Sequence, residues 1–582
     1  MNVNAGAAVG ELTDSGRSRA LLVGASIALL LAWSAVVPIF ESPDEVHHWQ
    51  YARYLHEERR LPRYGPGFVE ANSPPLYYAL LAPLATSSAF PPTLVWLDAK
   101  GTLVVPFAPR LYHNAGGDFA RYWPIRLGRL LTVLMSAATV WFCWQAGLLA
   151  GGTSAAILSA SLVAFLPQFT FRGSTISNDA LVTTMSAATV LCIVRLMEQP
   201  FTWRAGAAAA LALSAAYLAK INAICLCAPL ALALWWNHQP TSVRLVRVAG
   251  VLGLACLIVA PWSLRNIALY GDPFASGAMW GAVGHIMSSR PLTSPYFWTT
   301  FPTVLSRSFV GVFGWMNIML PEGYYWIFWT IGLSGLAGVT VQISKRSLSA
   351  RLPVVLGAIV ILNFGVVLHI NRSFEQPQGR YMFVALPALA LLIAMGLKAL
   401  TRYGAGALAL CLCFLNVLIL CRHVIPAYYP PVTSTLSNAG VALVSPYVLD
   451  LIPLPNGSAE VSGVDPQLGF ETRIEAATVG FLAFDLTGIC DEGDVAGSVY
   501  FGAEGRPASE AQQVEFTWRA DGRKRLIRVP LLRHPLWKGT ITIVRIDPIN
   551  QSLRRHQGDW VQVENVRLIG NLSLLVSQSS DK

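Results

Sequence analysis

Glu41-Ser42-Pro43-Asp44-Glu45-Val46-His47-His48 follows directly on an uncharged apolar run, Ala20 to Ile39. A run of about 20 such residues is the length a helix needs to cross the hydrocarbon core of a bilayer. Three carboxylates and two imidazoles therefore emerge at a membrane boundary, held by the end of a spanning helix. Pro38 and Pro43 stop that helix, because proline cannot continue its hydrogen-bond ladder. Acids gathered at such a boundary are costly and usually functional. The plainer reading is that they cap a helix and face solvent.

Composition agrees with a membrane chain. Of 582 residues, 54% are hydrophobic and 13% charged, and the apolar residues fall into separate long runs. The balance of +10 comes from 42 Lys and Arg against 32 acids. Many of the bases sit in short loops between apolar runs, as the positive-inside rule expects, and do not mark a nucleic-acid surface. Eight of the nine cysteines lie in apolar runs and Cys490 stands alone, so neither a disulfide framework nor a zinc site is indicated. Arg17 and Arg19 precede the first run, but it is long for a signal peptide and lacks a small-residue cleavage site. It reads as a retained span after a cytoplasmic tail, residues 1–19.

Further runs near 126–149, 153–171, 179–197, 204–219, 221–236, 245–263, 325–343, 352–370, 381–399 and 404–422 bring the expected spans to about eleven. With the N-terminus inside, the inner connections carry Arg195, Arg204, Arg244, Arg247, Lys345, Arg346, Arg351, Lys398 and Arg402. Loops 41–125 and 264–324 then face outward, as does everything after the last span. His47 to Arg60 has the spacing of an amphipathic helix lying in the interface. From about Thr433 the pattern alternates, as in Ile541–Ile546 and Val561–Leu568. Residues 433–582 thus read as an extracytoplasmic β-sandwich.

Several motifs carry a family resemblance. They are Pro43-Asp44-Glu45 with His48, Ser73-Pro74-Pro75-Leu76-Tyr77-Tyr78, Ser177-Asn178-Asp179, Pro261-Trp262-Ser263-Leu264-Arg265-Asn266, Tyr270-Gly271-Asp272-Pro273, Phe313-Gly314-Trp315-Met316 and Gln378-Gly379-Arg380-Tyr381. In this order, residues 20–425 resemble the polytopic GT-C glycosyltransferases, nearest to a bacterial membrane family catalogued as a domain of unknown function, DUF2142. Arg545-Ile546-Asp547-Pro548 is loosely similar to carbohydrate-binding β-sandwiches attached to such enzymes.

The resemblance implies an inverting transfer of sugar from a polyprenyl-phosphate donor to an envelope glycan, glycolipid or protein. The site would be the outer face of a bacterial cytoplasmic (inner) membrane. It makes Asp44 the expected general base, with Glu45 second. Chemistry agrees: a carboxylate at hydrogen-bond distance can take the proton of a sugar hydroxyl as the new bond forms, and burial would raise its pKa toward a useful value. The lipid phosphate leaves best beside a cation. Arg380, Arg265 and Lys220 are the expected partners, against the plainer readings of a snorkelling arginine or a turn lysine. His48, Asn178, Asp179, Tyr77 and Gln378 are expected near the substrate, although Asn and Asp at a helix start ordinarily serve as N-caps. His48, one turn from Asp44, is placed to share a divalent metal (Mg, Mn or Ca) with it; no metal is required by the pattern. The aromatics Trp49, Trp262, Trp315 and Tyr324 suit an interfacial belt.

A transporter or flippase of lipid-linked saccharides is the alternative. It would keep its polar residues near the midplane and often in repeats, whereas the acids here cluster at the outer boundary. An O-antigen polymerase or ligase is a nearer rival, and it characteristically uses arginines and a histidine in one large loop.

Overall fold

The computed structural model describes residues 3–40, 42–64, 69–86, 111–112, 119–236, 239–277, 290–314, 316, 318–397, 402–428, 444–462, 465–532, 534–550 and 559–570. Glu41, Trp315 and residues 429–443 thus lie outside the described residues. The chain forms two compact units. One comprises Met1–Val37, Asp44–Ser87 and Trp123–Ile425; the other comprises Pro38–Pro43, Ser88–Tyr122 and Pro426–Lys582.

The first unit is helical. Its helices are α1 (Val3–Val36), α2 (Glu45–Glu58), α3 (Leu76–Leu81), α4 (Phe119–Ala164), α5 (Pro167–Gly173), α6 (Asn178–Glu198), α7 (Trp203–Ala219) and α8 (Cys227–Trp235). They continue with α9 (Thr241–Tyr270), α10 (Thr300–Val310), α11 (Glu322–Ser344), α12 (Arg351–Asn371), α13 (Leu386–Gly396) and α14 (Arg402–Ile419).

Among the described residues seven helices are long and apolar enough to cross a membrane, with two shorter apolar helices at Ile221–Trp235 and Leu386–Gly396. The chain is a multi-pass membrane protein, but the count of eleven is not reached on length. One reason is that α4 takes in two of the expected runs. It breaks at Gly152, whose φ of 76° and ψ of −165° are open to glycine alone. The run read as 153–171 also ends early, at Ala164. Pro167 lacks an amide hydrogen and opens the short, wholly buried α5 instead.

Burial ranks the helices. Within their apolar windows α6 is 78% buried, against 11% for α9 and for α11. The middle of the unit is therefore α6, and α9 and α11 turn apolar faces outward. Leu257 on α9 is 70% exposed, as a lipid-facing side chain would be.

A buried ion pair fixes the frame. Arg129 on α4 meets Glu45 twice, Nε to Oε1 at 2.8 Å and Nη2 to Oε2 at 2.7 Å, with both side chains at most 1% exposed. Arg129 Nη1 also donates to the Ser34 and Val37 carbonyls, satisfying acceptors left open where α1 ends. Glu45 Oε1 accepts from the Ile176 amide at 2.9 Å. One carboxylate thereby joins the end of α1, the start of α2, α4 and the segment leading into α6. Glu45→Gln would strand the Arg129 charge, and breaking a buried pair costs about 3–5 kcal/mol. A clearly lowered melting temperature in detergent is expected; an unchanged one would refute the role.

The second unit carries the strands expected near the C-terminus, and among the described residues only short 3-10 turns lie between them. They are β1 (Val444–Leu449), β2 (Leu451–Pro453), β3 (Ala459–Val461), β4 (Gln467–Glu475), β5 (Val479–Ala503), β6 (Gln513–Asp521), β7 (Arg525–Pro530), β8 (Thr540–Asp547) and β9 (Trp560–Gly570). The first half of β5 pairs antiparallel with β7 and β9, the second half with β6 and β8. A register shift between Ile489 and Asp494 separates the halves. The strand thus passes from one layer to the other, as strands do at the corner of a sandwich. Between the layers lie Phe484, Phe501, Phe516, Trp518 and Trp537.

Candidate active site

Asp44 sits just before α2 with φ at 65°, a left-handed conformation that Asp tolerates better than most residues. Its carboxylate does not cap the helix. It accepts instead from Arg380 Nη2 at 2.5 Å and stays 30% exposed, while Arg380 is 5% exposed.

Arg380 is aimed by its neighbours. Gly379 lies against α10 so closely that a β-carbon would come within 2.1 Å of the Phe309 backbone nitrogen. The Gly379 amide donates to Ser308 Oγ at 2.8 Å. The Tyr381 ring lies 5.2 Å from the Arg380 guanidinium carbon and 4.9 Å from Lys220 Nζ. The Tyr381 carbonyl is held by Asn363 at 3.0 Å.

The second acid is Asp179, at the start of α6 and 1% exposed. The cap of that helix is Ser177, whose Oγ accepts from the Asp179 amide at 3.2 Å. This corrects the plainer expectation for Asn178 and Asp179: with the cap supplied by serine, the Asp179 carboxylate is left for cations. It meets Lys220 Nζ at 2.6 Å, Arg172 Nη2 at 3.2 Å and Arg380 Nη1 at 3.7 Å. Arg172 also donates to Ser177 Oγ at 2.6 Å. Two carboxylates thus share three cations, with Arg380 between them.

The electrostatics reverse one expectation. Burial alone would raise the Asp44 carboxyl, but Arg380, with His48 and Arg172 behind it, outweighs burial and holds it well below the usual carboxylate range. Burial likewise disfavours charge on Arg380, and Asp44 more than reverses it. Asp44 is therefore ionised, and basic only once Arg380 is drawn away.

Beside the ion cluster, His48 Nδ1 lies 3.0 Å from the Tyr78 hydroxyl, which also receives Asn178 Nδ2 at 3.4 Å. Tyr77 turns elsewhere, its hydroxyl 3.1 Å from Thr132. Gln378 precedes Gly379 with a buried Oε1 that has no hydrogen-bond partner among the described residues. Arg265 stays outside the cluster: it stacks on Trp262 at 5.2 Å and donates to the Pro62 carbonyl at 2.7 Å. Glu45, both of whose oxygens are taken, belongs to the frame. Arg172 was missed in the sequence, although a lone charge closing an apolar run and seven residues before an acid is a usable signal. Among the described residues no three His, Cys, Asp or Glu side chains converge on a point fit for a metal. Asp44 and Asp179 are each paired with cations, Asp44 with Arg380 and Asp179 with Arg172 and Lys220.

Residues 76–264 match the family model described as dolichyl-phosphate-mannose-protein mannosyltransferase. That span includes Tyr77, Tyr78, Arg172, Asp179 and Lys220. The match is confined to that stretch of the 582 residues. Among solved structures the chain is similar to ArnT from Cupriavidus metallidurans bound to undecaprenyl phosphate, at 14% identity and a TM-score of 0.43, over 70% of this chain and 73% of that one. It is similar also to the arabinosyltransferase EmbB from Mycobacterium smegmatis, at 10% identity and a TM-score of 0.36, over 94% of this chain and 64% of that one. The oligosaccharyltransferase of Archaeoglobus fulgidus matches at 13% identity and a TM-score of 0.41, over 71% and 55%. No curated protein matches the chain.

Proposed function

We propose that the chain transfers a sugar, with inversion, from a polyprenyl-phosphate donor to the hydroxyl of an envelope glycan, glycolipid or protein. The reaction takes place on the outer face of a bacterial cytoplasmic membrane, and the C-terminal β unit is extracytoplasmic. One observation carries the reading: Arg380 bridges Asp44 and Asp179, at 2.5 and 3.7 Å, with Lys220 on the far side of Asp179. An incoming phosphate competes with Asp44 for Arg380. As Arg380 turns to the phosphate, Asp44 regains basicity and takes the proton of the acceptor hydroxyl. That oxygen bonds to the anomeric carbon, the bond to the phosphate oxygen breaks, and its electron pair leaves with the lipid phosphate. Arg380 and Lys220 stabilise the charge that develops there. A single displacement of this kind inverts the anomeric centre.

The test is purified protein with a synthetic panel of polyprenyl-phosphate sugars, scored for release of lipid phosphate and for product configuration. Transfer with inversion is expected. Donor crossing liposome membranes without any transfer would replace the reading with a flippase.

A further inference from the structure

A second group of buried charge lies in the β unit. Along β8, Val544 and Ile546 enter the core between the layers. Successive side chains of a strand point to opposite faces, so Arg545 and Asp547 project from the outer face of that layer. On β5, Val499 and Phe501 also enter the core, which puts Tyr500 on the same outer face. Tyr500 is the register partner of Arg545.

The three side chains are joined. The Arg545 guanidinium carbon lies 4.0 Å from the centre of the Tyr500 ring, and its Nη2 donates to Asp547 Oδ2 at 2.8 Å. The Tyr500 hydroxyl donates to Glu510, 3.2 Å from Oε2 and 3.4 Å from Oε1, which pins the far end of the ring. Asp547 is 2% exposed. Its Oδ1 is nevertheless without a hydrogen-bond partner among the described residues, and so is Arg545 Nε; both atoms are buried. One ion pair thus keeps an unmet acceptor beside an unmet donor. Native proteins rarely leave such atoms unsatisfied, and each instance calls for an explanation. The Asp547 carboxyl shows the shortage. Burial is the largest influence on it and outweighs Arg545; with Asp465 and Glu510 adding like charge, its pKa rises to about 7.

We infer that Arg545 and Asp547 form a saccharide-binding site that grips two neighbouring hydroxyls. A hydroxyl both donates and accepts. One of the pair gives its hydrogen to Asp547 Oδ1, and its neighbour takes one from Arg545 Nε. Entry is from the rim, where the Arg545 side chain is 24% exposed and Glu510 is exposed. Other ligands fit less well. The carboxylates of Asp547, Glu510 and Asp465 surround one guanidinium and repel a phosphate. Among the described residues no three acid, His or Cys side chains converge on a point fit for a metal. An apolar group would leave both buried atoms unmet. The site goes beyond the transfer reading and does not rest on it, because holding a glycan needs no chemistry at Asp44.

The test is saturation-transfer NMR on the full chain in a detergent without a sugar headgroup. The probes are the methyl glycosides of mannose, galactose, glucose and arabinose. At least one is expected to bind. Asp547→Asn keeps the size of the side chain and removes a carboxylate acceptor, so it should weaken that binding by ~10-fold or more. Arg545→Lys keeps the charge and loses the flat guanidinium with its Nε donor, and the same loss is expected. Melting curves accompany both, and if one variant melts early the other decides. No binding of any glycoside would overturn the site, as would binding equal in the unaltered protein and a folded variant. Binding abolished by Asp44→Asn and kept in Asp547→Asn would also overturn it, by placing the sugar at Asp44. Binding that depends on Asp547, in a protein that transfers no sugar, would uphold the site and sink the transfer reading alone.

Discussion

Asp44→Asn should lower kcat by ~10² to 10⁴-fold, the scale of a lost general base, while the donor binds at least as tightly as before. The two effects share one cause. Asn keeps the size of the side chain and tolerates the left-handed backbone at this position, so the chain need not move. It cannot accept the hydroxyl proton as a carboxylate does. It also frees Arg380 from a charged partner that the donor phosphate otherwise has to displace. Steady-state kinetics beside a direct donor-binding measurement would separate the two. Turnover equal to that of the unaltered protein would remove Asp44 from the chemistry and leave Asp179 as the next carboxylate to try. A fall in both kcat and donor affinity would mean that Asp44 helps to hold the donor and does not act as a base.

Asp179→Asn is expected to cost stability and activity together. Arg172 and Asp179 are each 1% exposed, and Arg380 and Lys220 converge on the same carboxylate. Removing its charge leaves a buried guanidinium without its counter-ion, which costs about 3–5 kcal/mol. The helix start itself should survive, because Ser177 and not Asp179 supplies the cap. Adding Arg172→Met to Asp179→Asn removes the stranded charge. The double variant should recover part of the loss, and coupling between contacting residues runs to about 0.5–3 kcal/mol. Melting curves of the two single variants and the double variant would show it. Simple additivity would be evidence against the pairing.

How far the site could be read in advance depended on where each residue falls along its element. Asp44, Asp179, Lys220 and Arg380 each stand at the end of an apolar run, and hydropathy locates such ends well. What periodicity does not say is which ends meet. Arg265 has the same sequence context as Arg380, yet it turns to the Pro62 carbonyl. Glu45, next to Asp44, was expected as the second base. Its partner Arg129 lies 84 residues further on, so nothing local revealed it as part of the frame. Arg172 escaped because the run just before it, 153–171, was read as one span, and Pro167 divides that run. The expected raising of Asp44 reasoned from burial without the guanidinium that faces it. The β unit was legible as alternation, strand by strand. The passage of β5 from one layer to the other is a long-range pairing that no local pattern carries.

The contact of Gly379 with the backbone of α10 has a bearing on speed. With no side chain at 379 and main chain laid on main chain, the root of Arg380 has nowhere to go. Only its flexible arm can swing between Asp44 and an arriving phosphate. On the proposed reading, capture of the donor phosphate by Arg380 is then a change of rotamer. Such changes belong to faster timescales than the microseconds to milliseconds of lid motions. The ordering this requires is met when the protein folds, so little of the donor's binding energy goes into arranging its receptor.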